Sequence, residues 1–330
     1  MHRRRLVAAL IVGFGLWLAM SRASSANDNQ PKEQPMADQQ AGQPGPMPPL
    51  SAEEAYVIRD KGTERPFTGK YTEVFTPGVY VCRQCGAALY ESTSKFRSEC
   101  GWPSFDDEIP NAVLRQRDAD GRRTEILCAC CGGHLGHVFE GERLTAKNLR
   151  HCVNSLSIVL RPSTQPVQWA EFAGGCFWGV EHYFSAMPGV LTVQSGYTGG
   201  TVANPTYKQV CTGTTGHAET VRIAFDPVKT SYEELAKLFF EIHDPTTLNS
   251  QGPDFGTQYR SAVFYRDEAQ KQIAEKLIGQ LKALGYKVVT QVAPAGPFYV
   301  AELYHQNYLA LHPERQDCHV RVERFEQPVK

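Results

Sequence analysis

The pattern of apolar and polar positions divides the chain in two. GVYVC (78–82), YESTSKF (90–96), TEILC (124–128) and NSLSIVL (154–160) have strand character, lie between glycine-rich turns and are joined by few long helical patterns. That half is predicted to be mostly β. Downstream, WAEFA (169–173), ETVRIAF (219–225) and YRSAVFY (259–265) alternate as strands, whereas Phe177, Val180, Phe184 and Met187 follow helical spacing. Ser231 and Glu234 form a capping box for a helix presenting Leu235, Leu238, Phe239 and Ile242, and EAQKQIAEKLIGQLKALG gives a second helix ending at Gly285. The second half is predicted to be α+β. The polar, proline-containing RPSTQPVQ (161–168) separates the halves.

The N-terminus breaks this pattern. MHRRR precedes a 15-residue apolar stretch, LVAALIVGFGLWLAM, and then small residues at Ser24 and Ala26. This predicts a secretory signal over 1–26 and an exported, periplasmic protein. The alternative is an uncleaved membrane anchor, although the apolar stretch falls short of the ~20 residues that a full span needs. Residues 27–50, rich in Gln, Pro, Gly and Ala, are expected to be a disordered linker.

The 330 residues suffice for about two domains. With 34 basic against 35 acidic residues and no basic run interleaved with aromatics, no nucleic-acid partner is expected. Ten cysteines in an exported chain would ordinarily suggest a disulfide framework, but their distribution argues otherwise. Cys82 with Cys85, and Cys128 with Cys131, form C-x-x-C pairs, and four thiolates close a tetrahedral shell around one structural Zn2+. Disulfides or an iron–sulfur centre are the alternatives. Cys130 could compete with Cys128, but only Cys128 has the matching spacing to Cys131. In GGCFWG (174–179), Cys176 stands where a strand gives way to a helix, and a helix N-terminus favours a thiolate.

At this point the motifs become recognisable. GTERPFTG (62–69), CRQCG, CGWPSF (100–105), CGGHLGHVF (131–139) and RHCVNS (150–155) resemble B-type peptide-methionine sulfoxide reductases (MsrB). GGCFWGVEHYF, GYTGG, NPTY, GHAETV, GPDFGTQYRS and YHQNYL resemble the A-type enzymes (MsrA). The resemblance covers about residues 51–320, and the motifs occur in order. It implies a mostly β, zinc-binding MsrB-like fold over 51–162, a linker over 163–168 and an α+β two-layer sandwich, MsrA-like, over 169–330. It further implies thiol-dependent reduction of both epimers of methionine sulfoxide in oxidised proteins or peptides, with regeneration by a thioredoxin-like reductant.

Residue by residue, the A-type resemblance makes Cys176 the nucleophile and Glu219 the acid. Tyr207, Tyr259 and Asp254 would hold the sulfoxide, Phe177 and Trp178 would wall the methyl pocket, and Cys318 would resolve the sulfenic acid. Cys211 is expected to be a buried core cysteine. In the B-type half the nucleophile would be Cys152, the resolving thiol Cys100 and the acid His137. His134 would assist, Arg150 and Asn154 would flank the thiol, and Trp102 would line the methyl pocket. One departure is His151, where relatives usually carry an aromatic residue; its effect on the neighbouring thiol is left open, and it removes no catalytic group.

Two other classes of function compete. A zinc-stabilised interaction module accounts for the C-x-x-C pairs but leaves RHCVNS, GGCFWG and GHAE without a purpose. A general thiol–disulfide oxidoreductase would need a redox C-x-x-C at a helix start.

Overall fold

The computed structural model describes residues 44–315 and 319–326. The expected signal (1–26), most of the expected linker (27–43) and Cys318 lie outside the described residues. The end of that linker is not loose: the Arg83 guanidinium donates to the carbonyls of Pro48 (2.8 Å) and Pro49 (3.0 Å), and Met47 packs against the first core. Backbone carbonyls with a fixed cation partner need no favourable composition to be ordered, which is why the prolines and glycines misled.

Helix α1 (Ala52–Ile58) opens the first half with a complete Ser51–Glu54 capping box. Strands β1 (Gly78–Cys82), β2 (Ala88–Glu91), β3 (Lys95–Phe96), β4 (Ser104–Phe105), β5 (Val113–Arg117), β6 (Thr124–Cys128), β7 (His134–Glu140), β8 (Leu149–Val153) and β9 (Ile158–Pro162) follow. They form a three-stranded sheet ordered β2-β1-β9 and a six-stranded sheet ordered β3-β4-β8-β7-β6-β5, both antiparallel. This half is sheet-rich, as its pattern predicts.

The second half runs β10 (Gln168–Gly174), α2 (Phe177–Ser185), β11 (Val190–Thr198), α3 (Tyr207–Cys211), β12 (Ala218–Phe225), α4 (Tyr232–Ile242), β13 (Ser250–Gln251), β14 (Asp254–Phe255), β15 (Ser261–Tyr265), α5 (Glu268–Ala283), β16 (Gln291–Pro294), β17 (Tyr299–Val300) and α6 (Tyr308–Leu311). Its main sheet is ordered β16-β15-β10-β12-β11-β17, parallel only between β15 and β16. Ser231 and Glu234 make both capping-box bonds at the head of α4, and Gly285 follows α5 at φ 96°, the left-handed geometry that ends helices.

The alternating WAEFA does form a strand, and β10 is buried on both faces from Trp169 to Gly174. One face, bearing Ala170 and Phe172, packs under α2 and α4 with Val221, Ile223 and Phe225. The other face carries Trp169, paired with Ala224 on β12, and Glu171, paired with Arg222. Trp169, Leu191 and Ala224 belong to the same apolar cluster as Val79, Leu89 and Leu160 of the first half. The halves therefore share a core. Polar bonds cross the same seam: Trp169 Nε1 donates to Glu91 Oε1 (2.7 Å), Arg161 to the Leu191 carbonyl (2.6 Å) and Asn111 Nδ2 to the Phe298 carbonyl (3.1 Å).

A bond from a buried indole to a carboxylate is worth about 1.5–3 kcal/mol. Trp169→Phe keeps most of the apolar burial and removes only this donor, so equilibrium denaturation should show a loss of stability in that range.

Candidate functional site

Two matching turns bring four sulfurs together. Cys82 ends β1 and Cys128 ends β6; Gly86 N donates to the Cys82 carbonyl and Gly132 N to the Cys128 carbonyl, both at 2.8 Å, with both glycines in left-handed geometry. The Sγ atoms of Cys82, Cys85, Cys128 and Cys131 all lie within 4.8 Å of one another, with Cys82–Cys131 at 3.7 Å and Cys85–Cys128 at 3.6 Å. A tetrahedral Zn–S₄ centre with bonds near 2.3 Å has S···S edges of about 3.8 Å, so this cluster could hold such an ion. Cys130 is not part of it.

Cys152 sits on β8 between two partners set by register. Ser104 of β4 pairs with it on one side and His137 of β7 on the other, so all three side chains share a face. Cys100 approaches from the loop before β4, its Sγ 3.8 Å from that of Cys152, and takes a bond from Ser98 Oγ at 3.0 Å. The sulfur–sulfur contact, aided by Ser98, Ser104 and the Trp102 backbone, pulls the Cys100 thiol down to about 4 and pushes Cys152 up, so the pair yields one thiolate readily and resists a second. Arg150 lowers Cys152 electrostatically and offsets part of that rise.

A cavity of about 110 Å³ opens on Cys152, lined by Trp102, His137, Phe139, Asn154, Thr63, Arg123 and Gly136. His137 Nε2 donates to Asp118 Oδ2 at 2.7 Å, and Arg123 holds the same oxygen at 2.9 Å. His134 and Arg150 do not line this cavity. His134 is buried behind His137, donates from Nδ1 to Glu125 at 2.7 Å, and has its imidazole lowered by burial against the pull of Glu125. Arg150 is tied to Glu142 at 2.7 Å.

His151, next to Cys152 in sequence, is directed away from the thiol. Alternation along β8 turns it to the opposite face, fully buried, with Nδ1 3.1 Å from the Tyr90 hydroxyl and Nε2 3.0 Å from Glu108. Glu64, which the sequence did not single out, organises the same region. Its carboxylate accepts from the amides of Ser155 and Leu156, its own amide donates to Asn154 Oδ1 (3.1 Å), and its carbonyl accepts from Trp102 Nε1 (3.1 Å).

In the second half Cys176 is the N-cap of α2, at the helix N-terminus as its sequence position predicts. The next amide, Phe177 N, donates to Glu219 Oε2 at 3.1 Å. Glu219 stands on β12, 2% exposed; burial raises its carboxyl to about 8 despite that bond, and Asp254 adds to the rise. Tyr259 is pushed up by burial and then by Glu219, Asp254, Cys211 and Cys176, and Tyr207 by burial, a bond with the Cys211 thiol and Glu219. Cys176, Glu219, Tyr207, Tyr259 and Asp254 thus form one electrostatic neighbourhood. Cys211 is exposed, one turn along α3 from Tyr207, not a buried core cysteine. The five-residue helix buries only Val210.

Phe177 is 1% exposed, against Tyr197 and His305, while Trp178 stacks on Tyr308 at 3.6 Å and donates from Nε1 to His305 Nδ1 at 3.1 Å. His305 lies at the centre of this group, 4.4 Å from the Tyr207 ring, and burial lowers its imidazole to about 4. Glu302 ties the group together by accepting from Tyr197 OH (2.9 Å) and Tyr207 N (2.8 Å). His305 stands in the YHQNYL motif, which marked the segment without revealing the role of its histidine.

A family model described as Peptide methionine sulfoxide reductase matches residues 168–330, and one described as SelR domain matches residues 50–162. The peptide methionine sulfoxide reductase MsrA of Pasteurella multocida is 52% identical over 154 residues, 46% of this chain and 88% of that protein. The chain belongs to the peptide methionine sulfoxide reductase family. The MsrA of Saccharolobus solfataricus is 51% identical over 161 residues, 47% of this chain and 91% of that protein. Among solved structures, reduced Mxr1 from Saccharomyces cerevisiae aligns at 37% identity with a TM-score of 0.45, covering 47% of this chain and 92% of that one. With a B-type reductase module followed by an A-type one, this member of the family reduces both the R and S epimers of methionine sulfoxide.

Glu219 gives a sign-definite prediction. With a folded value near 8 and an ordinary value of 4.5, the folded state holds a proton that the unfolded state has lost between those pH values. Stability contributed by the neutral carboxyl is therefore present below about pH 4.5 and lost as pH rises through about 8. Relative to Glu219→Gln, the parent protein should weaken over that window by at most about 5 kcal/mol, read from urea denaturation at a series of pH values.

Proposed function

We propose that each module works by the same two-thiol cycle with different acid groups. In the first, a Cys152 thiolate attacks the sulfoxide sulfur and forms a transient S–S bond while His137 supplies a proton to the oxygen; the hydroxyl then passes to the Cys152 sulfur as the S–O and S–S bonds to the methionine sulfur break, which releases methionine and leaves Cys152 as a sulfenic acid. Trp102 walls the methyl pocket, Asn154 lines the site, His134 stands behind His137, and Arg150 favours the attacking thiolate. Cys100 then displaces water and closes a disulfide. The observation that carries this reading is the 3.8 Å separation of Cys100 and Cys152 at the wall of a cavity that His137 also lines, since a small approach brings the sulfurs to bonding distance.

In the second module Cys176 attacks and Glu219 donates, its neutral form maintained by burial. Tyr207, Tyr259 and Asp254 hold the sulfoxide, and Phe177 and Trp178 shape the methyl pocket. Cys318 resolves the sulfenic acid. In support, the residue after it, His319, donates from Nε2 to the Gly174 carbonyl at 2.8 Å, two residues before Cys176. The four-cysteine cluster of the first module holds one structural Zn2+, and a filled sulfur shell leaves the ion no position for substrate.

The protein is proposed to be exported on residues 1–26, to the periplasm; retention of that segment as an anchor is the alternative. Among the described residues no helix is long and apolar enough to cross a membrane. In an oxidising compartment no glutathione pool reopens the disulfides, so a separate thioredoxin-like dithiol must do so.

Resolved epimers test the assignment of the two thiols. Cys176→Ser should abolish reduction of the S epimer and spare the R epimer, with Cys152→Ser doing the reverse; loss of both activities from either change would sink the two-site reading. Resolution is tested by donor choice. Cys100→Ser and Cys318→Ser should each stall one activity with thioredoxin as donor and recover turnover with dithiothreitol, whereas undiminished thioredoxin-driven turnover would show that the wrong resolving thiol had been chosen.

A further inference from the structure

Arg161, at the seam between the halves, is an unusual buried cation. It is 2% exposed, and among the described residues no carboxylate lies within ion-pair distance of it. One guanidinium nitrogen donates to the Leu191 carbonyl, and the other terminal nitrogen meets the Met47 sulfur at 3.7 Å. Its Nε finds no acceptor. A thioether is a weak acceptor, so this guanidinium is left short of partners in a setting where unsatisfied donors are costly.

The surroundings leave room for a better acceptor. Met47 and Arg161 both line a cleft of about 790 Å³, which also reaches Arg83, Lys70, Tyr71 and Ser155. Met47 is half-buried, so a small oxidant can reach its sulfur. It also lies on the segment that runs from Arg83 of the first half to the groove beside α2, where Pro44 and Pro46 stand near Trp178 and His182.

We propose that Met47 is an oxidation site whose sulfoxide oxygen is received by Arg161. The oxidant is a peroxide: a sulfur lone pair attacks one peroxide oxygen, the S–O bond forms as the O–O bond breaks, and the second oxygen leaves as water. Sulfur is oxidised by two electrons and the peroxide reduced by two, with no net proton change. The product oxygen carries partial negative charge and accepts strongly. It gives the guanidinium the acceptor that the thioether does not, so oxidation here tightens the segment across the seam, where oxidation of a methionine usually loosens its packing. This site is separate from both thiol centres and does not depend on their assignment.

The test treats the full-length protein with hydrogen peroxide without reductant, then measures peptide mass and thermal unfolding, in parallel with Met47→Leu. Leucine preserves the apolar packing, and the comparison cancels changes caused by thiol oxidation. The Met47 peptide should gain one oxygen, and the parent protein should gain a few degrees in Tm over the gain seen in Met47→Leu. Arg161→Gln, if it folds, should still take the oxygen at Met47 but lose the extra rise. Met47 remaining unmodified while free methionine in the same tube is oxidised would overturn the proposal, as would a Tm difference of zero or of opposite sign.

Discussion

The structure depends on a sheet that is covered on both faces. Strands β10 and β12 present Ala170, Phe172, Val221 and Ile223 to the helices on one side, and Trp169 and Ala224 to the core of the other half. Covering the second face removes water from residues that composition would leave wet. Glu171, Arg222 and Arg161 are each no more than 3% exposed. Burial lowers the Arg222 guanidinium to about 10, against the pull of Glu171. Cation–ring contact with Phe298 at 4.4 Å and a bond to Gln194 at 3.0 Å offset part of that cost. The seam is thus apolar in the middle and held in register by a few directional groups, the arrangement that fixes one orientation of the halves.

In the proposed cycle, the two thiol centres meet the same chemical demand on different scaffolds. A nucleophile that removes oxygen from sulfur needs a charged sulfur and a nearby proton. In the first half, strand register supplies both: neighbours across the ladder put Ser104 and His137 on the face of Cys152, and a second sulfur shares its proton. In the second, a helix terminus carries the thiol, and a carboxyl on a central strand is kept neutral by exclusion of water. The first arrangement draws its proton economy from a pair of thiols and a histidine held by Asp118. The second draws it from burial of Glu219, whose charged form is favoured by a bond from the first amide of α2.

Much of this was legible in the sequence where the signal was local. The capping box at Ser231, the left-handed Gly285, the strand-to-helix change at Cys176 and the paired knuckles each depend on residues within a few positions of one another. What escaped depended on distant partners. Glu64 bonds amides some ninety residues away, Glu302 ties Tyr197 to Tyr207, and neither placement follows from spacing. His151 was legible as a departure, but its direction was not, because that depends on the strand register. Cys211 was misjudged because α3 is too short to bury more than one face. The covering of β10 on both faces escaped for the broadest reason: alternation reports which residues share a face, not what covers it.

The shared seam gives the two modules a common fate. If the chain were cut between Pro162 and Gln168, Trp169, Leu191 and Ala224 on one side and Val79 and Leu160 on the other would meet water as contiguous apolar surface, the kind that drives aggregation. Neither module is simply an independent domain tied to its neighbour by a string. An injury that opens the first withdraws a wall of the second, and a lesion in either epimer-specific centre's scaffold becomes a lesion in both. Folding stability is thus shared by the two modules, although each thiol centre can lose its chemistry alone.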